Sequence, residues 1–329
     1  MTLTTFFKRL RNNRITRLTL RLYLMPMRLI MRSIAAKNGP RTMLNRYYNL
    51  LGAEARSSFH ARYAKIFRRQ DISMSTGEWN VYFVDRCIRL PLRSSWSWLD
   101  WDHAVSIVGH DIEVIQTYAA IIVSDQRPAL FLDVGANYGT HSVLFLSAGI
   151  PVIAFEPNPS CSAHFQAICK LNGLSGRWEQ VAIGSEVGEI ELVYPEKDTW
   201  LGSVSSNVIP SLKESGDVTS LRVPVKNLDY YLNDIPRGKV LIKIDVEGYE
   251  SEVLKGASRV LRDCMPTIIF ESNDAKARGD LFCLLEGFCY CVHPLPWRPS
   301  AYSQVLGVDE FLASVATNFI AIPRIGSRP

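Results

Sequence analysis

The sequence predicts an α/β protein: a mostly parallel sheet with an antiparallel terminal strand, helices on both faces and a basic helical N-terminal extension. From about residue 128 onward, apolar segments of strand length alternate with helical segments, which is typical of a parallel sheet. The first 70 residues instead combine helical periodicity with an excess of arginine. The 329 residues are 47% hydrophobic and 21% charged, which excludes wholesale disorder and low-complexity structure.

Charge is divided unevenly along the chain. Residues 1–70 carry 16 basic side chains and one acidic side chain, while residues 71–329 carry 21 basic and 31 acidic ones. The net charge of +5 therefore combines a segment of +15 with a body of −10. We divide the sequence into a basic helical arm (1–70), a cap of helix and strand (71–127) and a larger domain (128–324).

The arm has the pattern of a basic amphipathic helix, in which Pro26 is expected to cause a kink. Such a helix suits packing on the acidic body, and residues 8–32 equally suit contact with an anionic membrane surface. Packing on the acidic body and a mitochondrial targeting role stay open, and nucleic acid is disfavoured because the body is acidic. The apolar stripe consists of Ile15, Leu18, Leu22, Met25 and Leu29.

The cysteines give no sign of a disulfide framework or a zinc site. The seven are scattered and include no CxxC pair, which favours a reducing compartment. No apolar run approaches the roughly 18 residues of a membrane span, and arginines interrupt any secretory signal. We expect a cytoplasmic protein, and we leave open peripheral attachment to the membrane and a mitochondrial location.

The cap joins the arm to the larger domain. Alternating apolar residues predict a strand around 80–95, and a helix is expected over 110–124. Trp96, Trp98 and Trp101 are expected to close the core, with stacking on a sugar as the alternative.

The most informative segment of the domain is a glycine turn after its first strand. Leu130–Leu132 predicts a buried strand, and a helix is expected from about Thr140. Gly135 and Gly139 lie between them, where a missing Cβ permits positive φ and close approach of a ligand. The free N–H groups at the start of the helix would point at that ligand.

An acid follows at the tip of the next strand. Glu156 ends the apolar segment 151–155, where a carboxylate can accept hydrogen bonds from both ribose hydroxyls of a nucleoside. The turn lacks the GxGxxG pattern of dinucleotide sites, and Asp133 stands where a diphosphate would lie. Because Asp133 suits a cationic amino-acid tail, the sequence favours S-adenosylmethionine over NAD.

A second acidic cluster follows two later strands. Asp245 comes directly after one apolar strand, and Glu271 and Asn273 follow the next. Parallel strands end at one edge of a sheet, so we expect these groups to converge with the two acids above. A helix is expected over 253–261, with Glu250 at its solvated start.

Four motifs in this order resemble the FkbM-type methyltransferases, a branch of the S-adenosylmethionine-dependent methyltransferases with a Rossmann-like sheet. The resemblance covers about residues 128–324. It implies methyl transfer to a hydroxyl on a sugar, a lipid-linked glycan or another secondary product. The motifs are FLDVGANYG (131–139), AFEPN (154–158), IKIDVEG (242–248) and NFIAIP (318–323).

The resemblance also implies roles for individual residues. The ribose of the cofactor would lie on Glu156 beside Pro157, and the adenine would pass the segment 180–184, which includes Ala182. Asp245 would lie near the transferred methyl group. The amino-acid tail of the cofactor would lie on Asp133, Gly135, Ala136, Asn137 and Gly139.

The acceptor hydroxyl must lose a proton during methyl transfer. Asp245, Glu247 and His141 are the candidate bases, although His141 also fits a helix-start residue without a catalytic role. A Mg²⁺ ion on Asp245, Glu271 and Asn273 is the second route, because Mg²⁺ takes oxygen ligands and would lower the pKa of the hydroxyl.

The end of the domain contains a long loop and two strands. Residues 199–220 predict a loop, which we expect to cover the acceptor with Trp200 as a platform for a sugar. Residues 288–294 and 318–323 predict a terminal strand pair. An NAD-type oxidoreductase and a non-catalytic membrane-surface adaptor are the alternative functions.

Overall fold

The computed structural model describes residues 14–68, 72–195, 202–273 and 277–324, with residues 14–24 described by their backbone only. These residues form two compact units. One contains the described part of Met1–Val81 with Arg89–His110, and the other contains Tyr82–Ile88 with the described part of Asp111–Pro329. Within the described ranges, no helix is both long enough and apolar enough to cross a bilayer.

The first unit consists of short helices around an aromatic core. Trp79 and Trp101 are fully buried with ring centroids 5.1 Å apart, and Tyr48 lies 5.2 Å from Trp79. Trp101 therefore has the expected core role, whereas Trp96 is partly exposed beside Arg93. The helices are α1 Arg14–Ala36, α2 Asn38–Leu50, α3 Ala53–Tyr63 and α4 Ser97–Ser106, with 3-10 helices at Ala64–Phe67 and Ser94–Trp96.

The segment predicted as one strand over 80–95 is a hairpin. Strand β1 spans Gly77–Phe83, β2 spans Arg86–Leu92, and the two pair in a sheet of their own. Val84 and Asp85 have φ angles of 46° and 59°, which make the tight turn between the strands. The prediction of a single strand was wrong because no glycine marks this turn in the sequence.

The second unit is built on a seven-stranded sheet and a small three-stranded one. Its strands are β3 Leu130–Val134, β4 Val152–Phe155, β5 Arg177–Glu179, β6 Ala182–Ile183, β7 Gly188–Pro195, β8 Val218–Lys226, β9 Val240–Ile244, β10 Thr267–Glu271, β11 Tyr290–Pro294 and β12 Asn318–Pro323. In the large sheet, β10, β9, β3, β4 and β5 are parallel neighbours in that order. Strand β12 runs antiparallel between β10 and β11. The predicted fold class and the terminal strand pair are confirmed.

Helices pack against both faces of the large sheet, because successive strand residues point to opposite sides. Leu132 joins a core with Val253 and Leu261, while its neighbour Phe131 stacks on Phe145 at 3.8 Å between ring centroids. The helices are α5 Ile112–Ile122, α6 Thr140–Ser147, α7 Ser162–Asn172, α8 Ile209–Ser215, α9 Glu250–Lys255, α10 Ser258–Asp263, α11 Arg278–Gly287 and α12 Val308–Ala313, with a 3-10 helix at Leu228–Asp234.

The helix predicted over 253–261 is in fact two helices, α9 and α10. The break lies at Gly256, where a Cβ atom would overlap the carbonyl oxygen of Gly184. This backbone contact brings the chain beside the end of β6 and leaves no room for a side chain. The helical periodicity of the segment does not reveal such a contact.

The long loop predicted over 199–220 contains regular structure. Helix α8 and the first residues of β8 occupy most of its second half, and β8 pairs with β6 and β7 in the three-stranded sheet. Polar composition alone suggested a loop here, so that part of the prediction was wrong. Trp200 lies outside the described residues.

Candidate active site

The glycine turn brings the ends of β3 and β9 into direct contact. Gly135 has a φ of 81°, and a Cβ at this position would overlap the carbonyl oxygen of Asp245. The N–H groups of Gly135 and Ala136 both donate to the carbonyl of Phe155 at the end of β4, at 3.0 Å. Only glycine fits this junction, because positive φ and the close approach each exclude a side chain.

The turn ends at Gly139, which has a φ of 73° and precedes α6. A Cβ there would overlap the ring of Phe165, so the residue is held by packing as well as by its backbone angle. Asn137 also has positive φ, at 50°, within the same turn. The predicted strand, glycine turn and helix are all present.

Glu156 is buried at the end of β4, and backbone donors fix its carboxylate. The N–H groups of Asn137 and Asn158 donate to its two oxygens, each at 2.8 Å. Burial raises the pKa of Glu156 to about 7, although these hydrogen bonds oppose the shift. Each oxygen retains acceptor capacity for one further donor, which matches a pair of vicinal ribose hydroxyls.

Asp133 lies within β3 and is fully buried. Its Oδ2 accepts a hydrogen bond of 2.6 Å from Ser142, while Oδ1 has no hydrogen-bond partner among the described residues. Burial raises the pKa of Asp133, and the Lys243 ammonium opposes that shift. A buried carboxylate oxygen without a partner calls for a donor from a ligand, and an ammonium group supplies one.

Lys243 is the counter-charge of the site. It lies within the buried strand β9, opposite Asp133 in the sheet register, and its Nζ is 2.6 Å from Oδ2 of Asp245. Burial alone would raise the pKa of Asp245, but Lys243 and a hydrogen bond from Glu271 hold it below its usual range. Burial and the charge of Asp245 raise the pKa of Glu271. The pKa of Asp245 is therefore lowered and that of Glu271 is raised, because Lys243 pairs with Asp245 and the charge of Asp245 acts on Glu271.

Glu247 stands on a turn that other groups hold in place. It has a φ of 49°, and Ser203 donates a hydrogen bond of 2.8 Å to its carbonyl oxygen. Burial and the nearby Asp245 carboxylate raise the pKa of Glu247 to about 7. The expected solvated position of Glu250 was wrong: it is buried, and its carboxylate accepts the N–H of Gly248 at 3.0 Å, which closes the turn.

Three acidic residues come close enough to share a cation, with one oxygen of each within 4.8 Å of the others. Among the residues that the structure describes, this set consists of Asp245, Glu247 and Glu271. The predicted set paired Asp245 and Glu271 with Asn273, whose side chain is exposed two residues beyond β10. Lys243 lies 2.6 Å from Asp245, and burial beside Asp245 raises the pKa of Glu271. The three carboxyl groups also offer oxygen ligands of the kind that Mg²⁺ takes.

The remaining predicted residues lie around this edge of the sheet. His141 is in the first turn of α6, where its ring packs perpendicular to that of Tyr118 at 5.5 Å, and its charge lowers the pKa of Asp245. Pro157 directly follows Glu156. Ala182 is buried in β6, where it pairs with Val225 of β8.

Sequence reasoning missed three groups of the site. Ser142 binds Asp133, Lys243 binds Asp245, and the buried hydroxyl of Tyr118 has no hydrogen-bond partner within the described ranges. A signal existed for Lys243, because a lysine within an otherwise apolar five-residue strand must have a charged partner. No comparable signal marked Ser142 or Tyr118.

Comparison with known proteins decides the family. The methyltransferase FkbM domain matches residues 133–313, which is more than half of the chain and contains every acid of the site described above. The chain belongs to the FkbM methyltransferase family. This assignment makes it a methyltransferase rather than an NAD-type oxidoreductase.

Two individual relatives share less than 30% sequence identity with this FkbM methyltransferase. Methyltransferase 1 of Beauveria bassiana (strain ARSEF 2860) is 29% identical over 193 residues, 52% of this chain and 76% of that protein. Methyltransferase sdnD of Sordaria araneosa is 28% identical over 205 residues, 53% of this chain and 79% of that protein. A solved structure, methyltransferase FkbM from Methylobacillus flagellatus KT, aligns with a TM-score of 0.38 at 14% identity. That alignment covers 70% of this chain and 56% of the other.

The FkbM family and its fold imply S-adenosylmethionine as the methyl donor, and the residues present fit that molecule. Glu156 offers acceptors for two hydroxyls, and the free Oδ1 of Asp133 offers an acceptor for an ammonium.

Proposed function

We propose that this methyltransferase uses S-adenosylmethionine to methylate a hydroxyl group, carried by a sugar, a lipid-linked glycan or another secondary product. The observation that carries the proposal is the position of Glu247. One of its carboxylate oxygens lies within 4.8 Å of an oxygen of Asp245 and of Glu271, and burial with the charge of Asp245 raises its pKa to about 7. A base with a pKa near the working pH is suited to accept a proton from an alcohol.

Different residues would bind different parts of S-adenosylmethionine. Glu156 would accept both ribose hydroxyls, and Asp133 would accept the ammonium of the amino-acid tail. The turn from Gly135 to Gly139 would lie against the part of the cofactor that joins its ribose to its amino-acid tail. When bound, S-adenosylmethionine supplies an electrophilic methyl group on a positively charged sulfur.

The three carboxyl groups beside the turn are not equivalent as bases. The ion pair with Lys243 lowers the pKa of Asp245, and burial beside Asp245 raises the pKa of Glu271, which favours its protonated form. Glu247 is left to take the acceptor proton as the acceptor oxygen bonds to the methyl carbon and the methyl–sulfur bond breaks. Asp245 would orient the acceptor hydroxyl. His141 would influence the reaction through its charge on Asp245.

The segment 203–208 supports the turn that carries Glu247. Ser203 holds the carbonyl of Glu247, and a Cβ at Gly248 would lie 2.9 Å from a methyl group of Val208. Because residues 203–208 contact this turn, they would set the direction of the Glu247 side chain. Covering of the acceptor by this segment stays a prediction.

A substitution at Glu247 tests the assignment of the base. Glu247→Gln should lower kcat by about 10²- to 10⁴-fold, because the base is lost, while the affinity for S-adenosylhomocysteine stays unchanged. The assay follows S-adenosylhomocysteine formation with sugar, glycolipid and polyol acceptors, and calorimetry gives the affinity. Glu189→Gln, an exposed change on β7, is the matched control.

Three outcomes would contradict this proposal. Equal turnover by Glu247→Gln and the unchanged protein would remove Glu247 from the chemistry. Turnover of amine acceptors alone would contradict O-methylation. Activity that disappears with a chelator and returns with Mg²⁺ would assign Asp245, Glu247 and Glu271 to a metal instead.

A further inference from the structure

Helix α2 packs with its polar side chains inward. Arg41, Asn45 and Tyr48 are buried at helical spacing on one face. Arg41 donates to the carbonyl of Ala35 at 3.0 Å, and the amide of Asn45 makes hydrogen bonds with both backbone groups of Asn80, at 2.7 and 2.8 Å. Polar contacts therefore anchor this helix to its unit, which is the reverse of the usual amphipathic arrangement.

The outward face of α2 is apolar. Met43, Tyr47 and Leu50 follow one another at helical spacing, and 73%, 59% and 83% of their surfaces are exposed. Their spacing places all three on one stripe, opposite the buried polar face. Because the polar face has its partners inside the unit, the exposed stripe is not explained by the packing of the helix.

The preceding helix, α1, also exposes large apolar side chains. Of the 19 large hydrophobic side chains exposed on the described residues, seven lie between residues 25 and 50. A concentration of this kind on a soluble unit marks an interaction surface, since scattered single residues are the ordinary case. The four on α1 are Met25, Met27, Leu29 and Ile30.

The charge around this surface identifies the occupant. Residues 14–68 contain 12 basic side chains and one acid, Glu54, although Arg32 and Arg41 are buried and Arg68 pairs with Asp102. Lys37 lies between the two helices and Arg46 lies within the apolar stripe of α2, and both are exposed. Apolar side chains with interspersed cations match a lipid surface with anionic headgroups, in which the apolar groups enter the headgroup region and the cations meet phosphate.

We propose that the exposed faces of α1 and α2, called the lipid face below, bind an anionic membrane surface. Tyr47 suits this position because its ring is apolar and its hydroxyl can remain in water. The inference is independent of the methyl-transfer reaction, since it uses no residue of the active site. It places the lipid face on residues 25–50, extending past the predicted contact region at residue 32.

The test is co-flotation of the full-length protein with vesicles. Vesicles of phosphatidylcholine containing about one third phosphatidylserine are compared with pure phosphatidylcholine, at about 50 and about 200 mM salt. The test variant is Met43→Ser/Tyr47→Ser/Leu50→Ser, which changes only exposed side chains. The matched control is Val187→Ser/Tyr302→Ser/Val315→Ser, three exposed apolar positions of the other unit.

We expect the unchanged protein to float with the anionic vesicles and to bind pure phosphatidylcholine at least about tenfold less, with weaker binding at the higher salt. The test variant should lose about tenfold or more of its binding, while the control variant floats like the unchanged protein. Thermal melting establishes that both variants are folded.

Three results would overturn the proposal. The first is that the unchanged protein does not float with anionic vesicles. The second is that the folded test variant binds these vesicles as well as the control variant does. The third is that light scattering shows a dimer for the unchanged protein and a monomer for the test variant, while the unchanged protein does not bind vesicles. That result would assign the lipid face to a second copy of the chain.

Discussion

The carboxylate of Glu156 offers the sharpest test of the cofactor site. Backbone N–H groups of Asn137 and Asn158 hold its two oxygens at 2.8 Å, so the side chain is oriented before any ligand arrives. Replacement by alanine removes both acceptors for the ribose hydroxyls. Replacement by glutamine keeps one acceptor and removes the charge.

The size of the effect follows from the hydrogen bonds that are lost. A hydrogen bond to a charged group contributes about 1.5–3 kcal/mol, so two of them contribute about 3 kcal/mol or more. Glu156→Ala should therefore weaken the binding of S-adenosylhomocysteine by about 100-fold or more, and Glu156→Gln by about tenfold. Since burial raises the pKa of Glu156 to about 7, the affinity of the unchanged protein should also fall as the pH decreases through that value.

The assay is isothermal titration with S-adenosylhomocysteine from about pH 8 down to about pH 5.5, with thermal melting as the check on folding. Glu189→Gln, which is exposed, should bind like the unchanged protein. The pH dependence should be absent in Glu156→Gln. A folded Glu156→Ala protein that binds the ligand within about threefold of the unchanged protein would refute the reasoning.

Three further predictions concern stability. Gly135→Ala should lower Tm by about 4–8 °C or prevent folding, because the positive φ is strained for alanine and its Cβ would overlap the Asp245 carbonyl. Gly188→Ala should not change Tm, because a Cβ there would lie in open space. Lys243→Met should cost up to about 3 kcal/mol by leaving the partly exposed Asp245 without its counter-charge. Adding Asp245→Asn should recover part of the lost Tm, and no recovery would show that the ion pair is not the cause. Burial raises the pKa of Glu156 in the folded state from the usual 4.5 to about 7, so the folded state binds more protons than the unfolded state between these pH values. The free energy of unfolding of the ligand-free protein should therefore fall as the pH rises from 4.5 to 7. Equilibrium denaturation should show a weaker dependence of this free energy on pH for Glu156→Gln.

The cofactor half of the site could be predicted from the sequence. Gly135 and Glu156 lie where the order of short apolar strands places them, because parallel strands end at one edge of the sheet. Their chemistry follows from residue type and from position relative to the strand ends. No tertiary contact had to be known in advance.

The acidic half could be predicted only in part. Asp245 and Glu271 converge as expected, but which of them carries a proton depends on Lys243, whose direction from β9 requires the folded sheet. Burial of Glu250 depends on the N–H groups of a turn that the sequence does not mark. The break at Gly256 likewise depends on a contact with Gly184, more than 70 residues away in the chain. Each missed feature is a long-range contact rather than a local pattern.

The contact between Gly135 and the carbonyl of Asp245 has a mechanical consequence. With no side chain between them, the glycine turn cannot move toward the acid-bearing turn without a clash. An adjustment of the first turn in that direction would therefore displace the second, and thermodynamic linkage makes the coupling reciprocal. Occupancy of the donor site should then change the affinity for the acceptor, and a bound acceptor should change the affinity for the donor by the same factor.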